Sequence, residues 1–73
     1  MKTFTIGEML TDEQLSQAIA IAKNSTTGMI AANIRDFVIL PNLDEIDQRL
    51  GQKNDPMYMA LCVQYALTRG TEP

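Results

Sequence analysis

From Pro56 to Thr68 the chain reads PMYMALCVQYALT, thirteen residues without a charge. Asp55 stands before it as a helix cap, proline takes the first helical position, and Gly70 follows it as a stop. These signals predict a helix. A surface helix keeps a polar face, whereas one that is apolar all round is buried. Between Met57 and Leu67 only Gln64 is not apolar by the usual count. At about 1.5 Å per residue this stretch is on the order of 16 Å long, far short of a bilayer. Protein must therefore cover it.

How much cover the chain itself can supply depends on its length. Seventy-three residues make one domain, residues 1–73. A chain of this size buries roughly 60–65% of the surface that its unfolded form exposes, so an isolated core is marginal. Small domains compensate with disulfides, a metal or oligomerisation. Cys62 is the only cysteine and there is no histidine. An internal disulfide is excluded, and a structural zinc site is close to excluded. No metal or cofactor site is expected, and oligomerisation is the remedy left.

Three short helices struggle to wrap a fourth on every side, since each covers about a third of its circumference at best. The last helix is therefore expected to face its own core on one side and a second chain on the other. A helix buried wholly within the monomer and a groove for a foreign protein are the competing arrangements. Met57, Leu61 and Gln64 lie on one line, with Ala60 and Leu67 close by, and the side of Met57, Leu61 and Leu67 is assigned to the core. Tyr58, Cys62 and Tyr65 lie on another, with Met59, Val63 and Ala66 between. Tyrosine and methionine are enriched at interface cores, and methionine adapts to irregular surfaces. Tyr58, Met59, Cys62 and Tyr65 are thus the expected interface of a homo-oligomer, a dimer or larger.

The rest of the chain reads as three more short helices, giving an all-α bundle of four. Thr11 and Gln14 have capping-box spacing, and Leu10 with Leu15 has the spacing of a hydrophobic staple. The first helix then presents Leu15, Ala18, Ile19 and Ala22, flanked by Ile21, and ends near Lys23-Asn24. Ser25, Thr26 and Thr27 are competent caps for a second helix, in which Ile30, Ile34, Phe37 and Val38 form a stripe. Pro41 disfavours helix at Leu40, and FVIL (37–40) is rich in β-branched residues. Residues 37–40 are therefore open to either reading, a continuing helix or an extended segment that begins near Asp36. Residues 2–6, KTFTI, alternate like a strand, so residues 3–6 and 37–40 could pair as a minor two-stranded ribbon. Asn42 and Glu45 open the third helix with capping-box spacing, Leu43, Ile46 and Leu50 face inward, and Gly51 ends it.

The polar residues offer little chemistry. Cys62 has neither a histidine nor a basic residue within a helical turn to activate it, so it reads as a small buried hydrophobe. Asp44, Glu45 and Asp47 could hold magnesium, but acids in a first helical turn also serve the dipole and a solvated face. No catalytic residue is expected, and the chain reads as non-enzymatic. Lys23, Ser25, Thr26, Thr27 and Gly28 form the most suggestive polar run. Hydroxyls and a glycine at a helix start, beside a lysine, can hold a phosphorylated or nucleotide ligand on free amides. The GK[ST] spacing of a phosphate-binding loop is absent.

The same junction has the outline of a helix-turn-helix, with Ala20, Asn24 and Ile30 in the structural positions. Its recognition helix would offer DNA only Asn33 and Arg35. Moreover, the net charge is -3 and the six basic residues are scattered singly. Nucleic acid and membrane surfaces are disfavoured partners for that reason. MKTFTIGEML lacks the apolar core of a signal peptide, which makes the cytoplasm the expected compartment. Small acidic helical proteins without chemistry are common among phage and mobile-element accessory proteins. A self-associating regulator or inhibitor that binds another macromolecule, with a protein as the expected partner, is the expected function. The alternatives are an oligomeric binder of a small phosphorylated or nucleotide ligand at the Lys23–Gly28 helix start and, third, a helix-turn-helix DNA-binding protein.

Overall fold

A computed structural model describes residues 6–69 of the chain. The architecture is all-α, with helices α1 (Ile6–Met9), α2 (Asp12–Asn24), α3 (Ile30–Ile34), α4 (Leu43–Leu50) and α5 (Pro56–Arg69). Between α3 and α4 the backbone stays helical through a π turn, Arg35–Ile39, and a 3-10 turn, Leu40–Asn42. A second 3-10 turn, Thr27–Met29, leads into α3.

Local chemistry sets three of the helix ends. The Thr11 hydroxyl accepts from the Gln14 amide at 3.1 Å, and Gln14 Oε1 accepts from the Thr11 amide at 2.8 Å. This capping box explains why Gln14 is buried although polar. Gly51 ends α4 in the left-handed region, at φ 71°, and its amide donates to the Gln48 carbonyl at 3.3 Å. The Gln52 amide donates to the Asp47 carbonyl, completing the pair of bonds that such a stop supplies. Asp55 Oδ1 accepts from the Met57 amide at 3.2 Å, with Pro56 opening α5.

The expected ribbon does not form at residues 37–40, because these lie in the π and 3-10 turns. Its other half, residues 3–5, and the Gly70 stop lie outside the described residues, while Ile6 already belongs to α1. Ile6, Met9 and Leu10 have the i, i+3, i+4 spacing of one helical face. Met9 and Leu10 are buried, and α1 packs on α4 and α5.

The proline exerts its effect without ending the helix. Pro41 has no N–H to donate, and in an α-helix its ring would press on the carbonyl four residues back, that of Phe37. The chain widens instead to i→i+5 bonding, and the Leu40 amide reaches the Arg35 carbonyl. The Phe37 carbonyl is taken by Gln17 Nε2 from α2 at 3.2 Å. Asn42 does not cap α4, as its spacing to Glu45 implied. Helical turns run straight into α4, so there is no fresh start to cap, and Asn42 Nδ2 donates to the Val38 carbonyl at 2.8 Å.

The wider turn also changes which side chains face inward. More residues per turn make Val38 fall in line with Ile34, while Phe37 lags behind. Ile34, Val38 and Ile39 are fully buried, whereas Phe37, placed in the stripe by α-helical spacing, is 60% exposed. These residues join Ala18, Ile30, Ile46, Met59 and Val63 in one core, which Leu15, Ile21, Ala22, Leu43 and Leu50 border. Ile19, expected inward with them, lies at the surface.

Candidate protein-binding face

Helix α5 lies against α3, the π turn, α1 and α2. Its inner face is Met59, Ala60 and Val63, all fully buried, with Met57 and Leu67 at the margins. Its outer face carries Tyr58, Leu61 and Tyr65, which are 48%, 49% and 62% exposed. Their spacing, i, i+3 and i+7, puts them on one line. Cys62 is half-buried along one edge of that line. Thr68, also exposed, extends it by another three residues.

This placement divides the expected interface. Tyr58 and Tyr65 are exposed and Cys62 lies beside them, but Met59 is 1% exposed and belongs to the core. Leu61, assigned to the core from sequence, stands instead between the two tyrosines. With almost no polar residue on the helix, the sequence carries little contrast to fix where the buried face ends. Gln64 is the one available marker, and it sits at that boundary. Its Nε2 donates to the Thr27 carbonyl at 3.4 Å, tying α5 to the turn before α3.

The electrostatics of the outer face are plain. Neither a carboxylate nor a cation interrupts it from Pro56 to Thr68. The Tyr58 phenol is held above its ordinary pKa by the neighbouring Cys62 side chain.

The other candidates lack assembled chemistry. Ser25 Oγ accepts from Asn33 Nδ2 at 2.9 Å, and Thr26 precedes a three-residue 3-10 turn without capping it through its side chain. Lys23 is exposed in the last turn of α2. Lys23, Ser25, Thr26, Thr27 and Gly28 therefore do not gather at the start of a long α-helix. The α3 helix has only five residues before the π turn. Asn33 is held by Ser25, and Arg35 Nε pairs with Asp36 Oδ1 at 2.8 Å, so both side chains proposed for DNA are already engaged.

Asp47 Oδ1 accepts from the backbone amide and Nδ2 of Asn54, which ties the α4–α5 loop rather than a metal. Among the described residues no three acidic, cysteine or histidine side chains group as metal ligands. A groove of about 280 Å³ between α2 and the π turn is floored by Ala20, Ile21 and Phe37. The side-chain amides of Gln17, Asn24 and Asn33 along it each donate one bond to a protein oxygen. No described helix is long and apolar enough to cross a membrane. The chain matches no known family model, curated protein or solved structure.

Proposed function

We propose that this chain is a non-enzymatic, self-associating protein whose contact surface is the outer face of α5. The single observation that supports this most is the exposed line Tyr58, Leu61 and Tyr65 on a helix uncharged from Pro56 to Thr68. Two copies of a chain with net charge -3 repel each other over most of their surface. The α5 face is where they can meet without opposing like charges. Tyrosine suits such a seam, since its ring supplies apolar area and its hydroxyl stays wet at the edge.

The assembled protein would act in the cytoplasm as a small regulator or inhibitor of another macromolecule, of the kind carried by phages and mobile elements. Tyr65→Asp tests the contact. It places an unpaired charge in the seam while leaving the monomer core untouched. The variant is expected to keep its helical circular dichroism and to sediment as a monomer. A folded variant that remains associated would move the contact to another face, and a wild-type monomer would transfer the α5 face to a foreign protein.

A further inference from the structure

We draw no further inference here: the strongest candidate, the uncharged groove between α2 and the π turn that Ala20, Ile21 and Phe37 floor, is an open apolar surface, and nothing in the structure shows what covers it.

Discussion

Gln17 and Thr11 show how single polar groups keep this small fold in order. Pro41 leaves the Phe37 carbonyl without its usual partner, and Gln17 Nε2 supplies one from the neighbouring helix. Because this bond is exposed, Gln17→Leu should cost only about 0.5–1 kcal/mol. Thr11→Ala removes one half of the capping box and should cost about 1 kcal/mol. Urea denaturation checks both, with the midpoint falling and the slope unchanged, since neither change alters the surface exposed on unfolding. No loss of stability in Thr11→Ala would mean that the α2 start is held by packing of Leu10 and Leu15 alone.

The two faces of α5 make opposite demands on mutation. Met59→Ala empties a fully buried position and should destabilise folding by about 2–5 kcal/mol. Leu61→Ala trims a half-exposed residue and should change monomer folding by no more than about 0.5 kcal/mol, its effect falling on association. Denaturation at a range of protein concentrations separates these, because only the association term depends on concentration. The existence of α5 was legible from Asp55, Pro56 and the apolar run, but its inner face was not. Contrast between polar and apolar positions is what assigns a face, and this helix has almost none. The segment from Arg35 to Asn42 was obscured differently. Pro41 and the β-branched run argued locally for extended chain, while burial of Ile34, Val38 and Ile39 holds it helical through a π turn. Stops written in one or two residues, such as Gly51, were legible because nothing distant competes with them.

The whole molecule joins a core built from every described helix to one helix face whose Tyr58, Leu61 and Tyr65 stand exposed. The sequence pointed to this through its length, its lone cysteine and its missing charges, all properties that need no knowledge of which side chains point where. It did not reveal that Leu61 rather than Met59 completes the tyrosine line, because that depends on how α5 rolls against α3. Sedimentation equilibrium of the unaltered protein over micromolar concentrations tests the central claim most directly. A mass of twice 8.1 kDa, dissociating on dilution, is the predicted result, whereas a single species of 8.1 kDa at every concentration would contradict it.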